Sequence, residues 1–148
     1  MEFALPDEAA TARLGRAVAH LLRRGDAVEL RGGLGAGKTT LARAAIRALT
    51  TPEEEAPSPT FTLVQTYDGP EFPIAHFDLY RLESAAETRE LGLDEAVEEG
   101  AVLIEWPERL GGEPASPHTL NIEIATEGAG RRARITPHGS WRTREFPI

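Results

Sequence analysis

The stretch Gly32-Gly33-Leu34-Gly35-Ala36-Gly37-Lys38-Thr39 decides the fold, because it matches the pattern G-x-x-x-x-G-K-T at every fixed position. Glycines allow the backbone to curl so that successive N–H groups point at phosphate oxygens, while the lysine reaches the outer phosphates of a nucleotide. The threonine that follows offers its hydroxyl to magnesium. The pattern therefore predicts a phosphate-binding loop in which Lys38 contacts phosphate and Thr39 contacts Mg²⁺.

The segments on either side of this loop have the character that the motif requires. Residues 27–31 are short and extended in character, and residues 38–49 are rich in strong helix formers with one apolar face. A loop between a strand and a helix places its N–H groups at the positive end of the helix dipole. The residues expected to contact the nucleotide are Gly33, Leu34, Gly35, Ala36, Gly37, Lys38, Thr39 and Thr40.

Hydrophobic periodicity divides the rest of the chain into helices and strands. An amphipathic helix is predicted at residues 7–24, and one or two short helices interrupted at Gly92 are predicted at residues 83–98. Residues 50–59, with their prolines and glutamates, predict an exposed loop. The remaining predicted strands are residues 60–67, 74–80, 101–106, 119–126 and 131–137.

Turn residues and apolar runs indicate how these strands are arranged. Asp68-Gly69-Pro70 predicts a hairpin, and Glu127-Gly128-Ala129-Gly130 predicts a second one, interpreted as an edge extension of the sheet. The apolar run at residues 101–106 is typical of a central strand in a parallel sheet. We therefore predict an α/β fold of the P-loop NTPase type: one domain over residues 1–148, with a mostly parallel sheet flanked by helices and antiparallel hairpin additions.

Composition and charge narrow the functions open to a chain of 148 residues. The 24 acidic and 16 basic residues give a formal charge of -8, which repels a nucleic-acid backbone unless the 16 basic residues are gathered on one face. The absence of cysteine excludes disulfides, thiolate metal sites and cysteine nucleophiles. The sequence has neither a signal-peptide pattern nor a run of about 18 apolar residues. We expect a cytoplasmic protein that does not associate with a membrane.

A magnesium nucleotide also needs a carboxylate placed rigidly opposite the phosphate loop. Glu105 ends the most apolar run in the chain, where a buried carboxylate is costly unless it serves a cation or a water bound to one. Asp78, near the end of another predicted strand, is the second candidate, and a salt bridge to Arg81 is its alternative role. The residues alone leave open which carboxylate ligates the metal.

Three further features each have two interpretations. The hydroxyl-rich segment Ser58-Pro59-Thr60-Phe61-Thr62 is either a loop that senses the γ-phosphate or an ordinary entry to a strand. Trp106 either stacks on a nucleotide or a partner, or it packs in the core. His76 is either catalytic or simply a packed or exposed strand residue.

Four motifs resemble, in their order and separation, the TsaE family, formerly called YjeE, the ATPase component of bacterial tRNA threonylcarbamoyladenosine synthesis. They are Gly33-Leu34-Gly35-Ala36-Gly37-Lys38-Thr39-Thr40-Leu41, Ser58-Pro59-Thr60-Phe61-Thr62-Leu63-Val64, His76-Phe77-Asp78-Leu79-Tyr80-Arg81-Leu82 and Leu103-Ile104-Glu105-Trp106-Pro107-Glu108. The resemblance covers most of the chain, as far as Gly111. Where many family members carry aspartate, this chain has Gly33, which leaves the phosphate cradle intact.

The resemblance implies specific roles for residues in these motifs. It implies that Lys38 binds the phosphates of ATP, that Thr39 and Glu105 hold Mg²⁺, and that Lys38 and Glu105 both take part in catalysis. Asp78 is implied to support hydrolysis, with residues 58–62 and 76–81 acting as nucleotide-responsive switches. Glu8, in the N-terminal segment, is implied to lie near the nucleotide base.

The resemblance also implies a process and its partners. The family acts on a complex of TsaD and TsaB, where ATP binding and hydrolysis are linked to turnover of the enzyme that modifies adenosine 37 of tRNA. It does not transfer the carbamoyl group itself, and it meets tRNA only through the complex. The acidic charge of this chain agrees with a protein partner in place of direct contact with tRNA.

A small-molecule kinase is the competing prediction, because a phosphate loop in a short chain is also the layout of such kinases. A kinase needs an acceptor site and usually an arginine-bearing lid that excludes water. Arg81, Arg89 and Arg109 are available for a lid, but none lies in a glycine-flanked basic segment. A third possibility, a module in which nucleotide is only structural, does not account for the intact Lys38-Thr39 pair and an opposing acid.

Overall fold

The computed structural model describes residues 1–147, which form a seven-stranded sheet with helices on both faces. The strands are β1 (Glu2–Leu5), β2 (Ala27–Arg31), β3 (Val64–Asp68), β4 (Pro73–Asp78), β5 (Ala101–Glu105), β6 (Thr119–Glu127) and β7 (Gly130–Pro137). The helices are α1 (Glu8–Leu21), α2 (Lys38–Leu49), α3 (Glu87–Glu90) and α4 (Leu93–Glu99), with 3₁₀ turns at Pro107–Leu110 and Gly139–Thr143.

The sheet has a parallel centre and antiparallel margins, in the order β1-β7-β6-β2-β5-β4-β3. Strand β2 pairs in parallel with both β5 and β6, and β5 pairs in parallel with β4. The β3–β4 and β6–β7 hairpins are antiparallel. The predicted α/β fold, with its mostly parallel sheet and hairpin additions, is confirmed, and β5 is an internal strand as its apolar run predicts.

The second hairpin is more deeply incorporated than an edge extension. Strand β6 lies directly against β2 in the parallel centre, and β7 is covered on its far side by β1. The prediction of an edge was wrong because short-range turn signals define a hairpin but not the strand that it joins. The strand β1 was absent from the sequence prediction. Its four residues carry little periodicity, and pairing with β7 supplies their hydrogen bonds.

The first strand of the other hairpin is shorter than predicted. Residues 60–63 form a turn, and β3 begins at Val64. Leu63 has a φ of 69°, and its N–H donates to the Pro59 carbonyl at 2.7 Å. This local hydrogen bond overrides the β-propensity of Thr60, Phe61 and Thr62, and it turns the segment toward the phosphate loop.

Two helices bury the face of the sheet beneath the phosphate loop. Helix α1 begins after Asp7, whose side chain accepts a hydrogen bond from the Ala10 N–H at 2.8 Å. It ends at Leu21, earlier than predicted. A Cβ on Gly15 would overlap the Leu41 carbonyl, so this glycine lets α1 lie directly against α2. The opposite face of the sheet packs against α4, where Leu93 is buried with Phe77 and Ile104.

The fold also bears on membrane association. Among residues 1–147, no helix is both long enough and apolar enough to pass through a bilayer.

Candidate nucleotide-binding site

The phosphate loop spans the gap between the end of β2 at Arg31 and the start of α2 at Lys38. Gly35 and Gly37 have φ values of 75° and 104°, in the left-handed region that glycine adopts without strain. Gly37 occupies the N-cap of α2 and offers no side chain to its first turn. The N–H groups of that turn therefore remain available to an anionic ligand.

A cavity of about 440 Å³ opens over this loop. It is lined by side chains or backbone from Glu8, Thr11, Leu34, Gly35, Ala36, Gly37, Lys38, Thr39, Thr40, Ser58, Thr60, Asp78, Glu105, Trp106 and Arg131. Every predicted site residue except Gly33 is among them. The topology explains this convergence, because β2, β4 and β5 are parallel neighbours and their carboxyl ends meet at one edge of the sheet.

Lys38 is almost completely buried at the base of the cavity, with 4% of its surface exposed. Its Nζ donates to the Gly32 carbonyl at 2.6 Å and lies 3.4 Å from the centroid of the Trp106 ring. Burial lowers the pKa of Lys38, and the negative charges of Glu105, Glu108 and Asp78 oppose that shift. A phosphate group would supply the strong negative partner that the buried ammonium lacks.

The Glu105 carboxylate connects β5 to the first turn of α2. Thr39 Oγ1 lies 3.0 Å and 3.1 Å from the two carboxylate oxygens of Glu105. His76 Nε2 lies 2.7 Å from Oε2 of the same carboxylate. Glu105 is 3% exposed, so its charge is held by these two hydrogen-bonding side chains in a largely dry position.

The Asp78 carboxylate contacts a different part of the chain. Its Oδ2 accepts hydrogen bonds from Ser58 Oγ at 3.0 Å and from Thr60 Oγ1 at 3.2 Å. Its Oδ1 accepts from the Tyr80 N–H at 3.1 Å. Arg81, the alternative partner considered from sequence, instead stacks over the Phe61 ring at 5.1 Å. Asp78 therefore ties residues 58–60 to the end of β4.

Trp106 is neither a core residue nor a free surface residue. It is partly buried, its φ is 59°, and its ring packs against Tyr80 at a centroid separation of 4.8 Å. A left-handed backbone is unfavourable for a bulky residue, and residues strained in this way cluster at functional sites. The turn directs the indole over Lys38, at the wall of the cavity.

The lining of the cavity also includes Glu8 and two residues that sequence analysis missed, Thr11 and Arg131. Arg131 is the second residue of β7, and its Nη2 donates to the Gly35 carbonyl at 2.6 Å. Its side chain also covers Gly37, because a Cβ at that glycine would lie 3.6 Å from both Arg131 Cδ and Thr11 Cγ2. No local pattern marks Arg131, since 96 positions separate it from Gly35 in the chain.

The donor set at the base of the cavity suits magnesium. Mg²⁺ is usually bound through one or two carboxylates together with nucleotide phosphates and water. Thr39 and Glu105 present a hydroxyl and a carboxylate side by side, with Asp78 on the neighbouring strand. Over residues 1–147, no group of three or more His, Cys, Asp or Glu side chains could hold a metal unaided. A cation here would complete its coordination with phosphate oxygens or water.

Comparison with known proteins decides the family. The family model described as "Threonylcarbamoyl adenosine biosynthesis protein TsaE" matches residues 5–134. The chain belongs to the TsaE family. The matched residues contain all four motifs, which are the phosphate loop and the segments that begin at Ser58, His76 and Leu103. The match extends to the first residues of β7.

Individual members of the TsaE family show how far the similarity extends. The chain is 44% identical over 134 residues to the tRNA threonylcarbamoyladenosine biosynthesis protein TsaE of Rickettsia conorii, covering 88% of this chain and 73% of that protein. It is 37% identical over 135 residues to the protein of the same name from Aquifex aeolicus, covering 90% and 94%. The crystal structure of Bacillus subtilis YdiB superimposes with a TM-score of 0.79 at 28% identity, covering 96% of this chain and 88% of that chain.

Proposed function

We propose that this chain binds and hydrolyses ATP with Mg²⁺, and that it serves the synthesis of N6-threonylcarbamoyladenosine in tRNA by acting on the TsaB–TsaD complex. The observation that carries the proposal is the convergence of Lys38, Thr39, Asp78 and Glu105 on one cavity above a G-x-x-x-x-G-K-T loop. The names of the relatives support the tRNA-modification process.

In this proposal each side chain has a distinct task. Lys38 moves from the Gly32 carbonyl to the outer phosphates, which offer its ammonium a stronger acceptor. Thr39 and Glu105 hold Mg²⁺, which neutralises charge on the phosphates when bound. The first-turn N–H groups of α2 bind phosphate oxygens directly. Leu34, Gly35, Ala36 and Thr40 line the path of the phosphates.

Asp78 is assigned a role in hydrolysis through residues 58–60. Its carboxylate holds the hydroxyls of Ser58 and Thr60 at the mouth of the cavity, where they can orient water or sense the outer phosphate. Loss of that phosphate would change the contacts of this turn, as in other loops that report on a γ-phosphate. The turn therefore gives a partner a means to distinguish nucleotide states.

Exposed apolar side chains beside the cavity support a protein partner. Leu34 is 76% exposed in the phosphate loop, and Phe61 is 84% exposed in the turn that Asp78 holds. Each side chain belongs to a segment that lines the cavity or adjoins a residue that does, so a partner that contacts either one would be close to the nucleotide site. The charge of -8 favours a protein over tRNA as the molecule directly contacted. TsaD and TsaB are the proposed partners, and tRNA is reached only through them.

The proposal is tested by steady-state ATP hydrolysis with the purified chain, alone and with TsaB–TsaD from the same source. We expect slow turnover alone, an increase on adding the complex, and loss of activity in Glu105→Ala. Turnover that ignores the complex would contradict partner dependence and direct attention to a phosphate acceptor, as the kinase alternative predicts. A wild-type chain that binds no nucleotide would contradict the assignment of the phosphate loop itself.

A further inference from the structure

His76 is a completely buried histidine beneath the phosphate site, and the proposed function gives it no task of its own. His76 lies on β4, two residues before Asp78, and 0% of its side-chain surface is exposed to solvent. Its Nε2 is 2.7 Å from Glu105 Oε2. An apolar side chain would fill the same space without the cost of burying an imidazole, so packing alone does not explain a histidine here.

The protonation of the ring follows from its surroundings. Within residues 1–147, His76 Nδ1 is buried and has no hydrogen-bond partner. A proton on Nδ1 would leave a buried N–H without an acceptor, whereas a proton on Nε2 is accepted by the Glu105 carboxylate. The hydrogen-bond geometry therefore favours a proton on Nε2, donated to Glu105.

This hydrogen bond restrains the one part of Glu105 that is otherwise free to rotate. The backbone of Glu105 is already fixed by the β4–β5 pairing and by its carbonyl, which accepts from the Leu79 N–H at 3.1 Å. Thr39 Oγ1 is nearly equidistant from both carboxylate oxygens and has a single proton to donate. The imidazole alone distinguishes the two oxygens, because it contacts Oε2 only.

We propose that His76 is the positioning residue that fixes the orientation of the Glu105 carboxylate, by holding Oε2, so that this carboxylate would be ready to hold Mg²⁺ together with Thr39. The inference rests on the proposed function, since it deepens the description of that same magnesium nucleotide site. Residues that orient a metal-binding carboxylate from behind commonly affect metal affinity by about 10- to 100-fold.

The test compares three substitutions at one position. In His76→Gln the side-chain amide nitrogen can occupy the place of Nε2 and donate to Glu105. In His76→Asn the amide is too short and occupies the place of Nδ1. His76→Leu fills the space without a donor, and His20→Gln, on the exposed surface of α1, is the matched control.

The measurement is the affinity of each variant for a fluorescent ADP analogue, with Mg²⁺ and with EDTA, so that the readout does not depend on catalysis. We expect affinities in EDTA within about twofold of wild type, because His76 contacts Glu105 but does not itself line the cavity over the phosphate loop. The gain in affinity on adding Mg²⁺ should fall by about tenfold in His76→Asn and His76→Leu, and His76→Gln should retain most of it. His20→Gln should match wild type.

The possible failures are distinguishable. If wild type shows no gain with Mg²⁺, the proposed function fails. If wild type shows the gain and folded His76→Leu or His76→Asn keeps it in full, the positioning role is overturned. Long-range ¹H–¹⁵N spectra of wild type provide a measurement that needs no variant. A ring protonated on Nε2 supports the inference, and one protonated only on Nδ1 overturns it.

Discussion

Asp78 and Glu105 are direct partners in the parallel pairing of β4 with β5, yet their carboxylates are hydrogen-bonded to different parts of the chain. Glu105 contacts Thr39 at the start of α2, whereas Asp78 contacts Ser58 and Thr60 in the turn before β3. The strand register places the two acids side by side at the carboxyl ends of β4 and β5, and their different hydrogen-bond partners give them different roles. The sequence leaves open whether Asp78 or Glu105 would ligate Mg²⁺. Of the two acids, Glu105 is the one hydrogen-bonded to Thr39, which favours Glu105 as the ligand.

This division predicts different defects for the two acids. Asp78→Asn should lower the rate of ATP hydrolysis by about 100-fold while leaving the affinity for MgADP within a few-fold of wild type, because the carboxylate orients residues 58–60 and not the phosphates. Glu105→Gln should instead reduce the increase in affinity that Mg²⁺ produces. Single-turnover hydrolysis and nucleotide titrations measure the two effects. Equal effects of both substitutions on Mg²⁺ dependence would contradict the division.

The burial of Lys38 should lower the free energy of unfolding of the ligand-free protein by an amount that depends on pH. Its pKa is lowered, chiefly by burial, so at neutral pH the unfolded chain holds this proton more readily than the folded chain. Stability should therefore rise with pH as the proton is lost, up to the ordinary lysine pKa of 10.5. Lys38→Met should be more stable than wild type near pH 7, and the difference should shrink as the pH approaches that value.

Urea unfolding of Lys38→Met and wild type at a series of pH values measures this cost, with the exposed Arg47→Met as a control for loss of one positive charge. The same variant should bind ATP at least about 100-fold more weakly, because charge-assisted hydrogen bonds to phosphate are lost. A variant that is less stable than wild type at every pH would show that the Trp106 and Gly32 contacts outweigh the cost of burial.

Much of the site could be predicted because its central part is local in sequence. The strand, loop and first turn of the helix from Ala27 to Thr40 are determined by neighbouring residues and by glycine conformations. The apolar run that ends at Glu105 likewise identifies a buried strand with an acid at its carboxyl end. Once β2, β4 and β5 are recognised as parallel strands, their carboxyl ends must meet at one edge.

The remainder could not be predicted because it depends on pairing between distant segments. Strand β1 exists through its hydrogen bonds with β7, and β6 reaches the centre of the sheet through its pairing with β2. Arg131 enters the site for the same reason. The turn at residues 60–63 was predicted as strand because its composition favours strands, and a hydrogen bond to Pro59 decides otherwise.

The position of Arg131 in the cavity lining leads us to expect that the β6–β7 hairpin contributes to nucleotide binding. Arg131→Ala removes the hydrogen bond to the Gly35 carbonyl and the cover over Gly37, so the phosphate loop loses a lateral restraint. We expect the affinity for both ATP and ADP to fall by about 10- to 100-fold, as for the loss of one hydrogen bond that involves a charged group. Arg132→Ala, on the neighbouring residue with contacts to Glu127, is the matched control. Equal losses in both variants, measured by calorimetry, would contradict a specific role for Arg131.

The buried ion pair between Arg144 and Asp26 should stabilise β2, the strand that leads to the phosphate loop. Arg144 donates to both Asp26 oxygens, at 2.6 Å and 3.1 Å, and both side chains are nearly inaccessible. Asp26 immediately precedes β2, and its carbonyl accepts from the Val102 N–H at 3.0 Å. Arg144→Ala would leave a buried carboxylate without its charged partner, at a cost of about 3–5 kcal/mol in the free energy of unfolding.

Urea unfolding tests this cost, with Arg142→Ala as an exposed control in the same segment. The double variant Asp26→Asn with Arg144→Met should recover part of the loss, because it removes the unpaired charge and keeps the volume that packs against Trp141. Nucleotide affinity measured below the unfolding transition should remain close to that of wild type, since neither residue lines the cavity over the phosphate loop. A loss of less than about 1 kcal/mol in Arg144→Ala would indicate that the pair behaves as an exposed ion pair and that β2 is positioned without it.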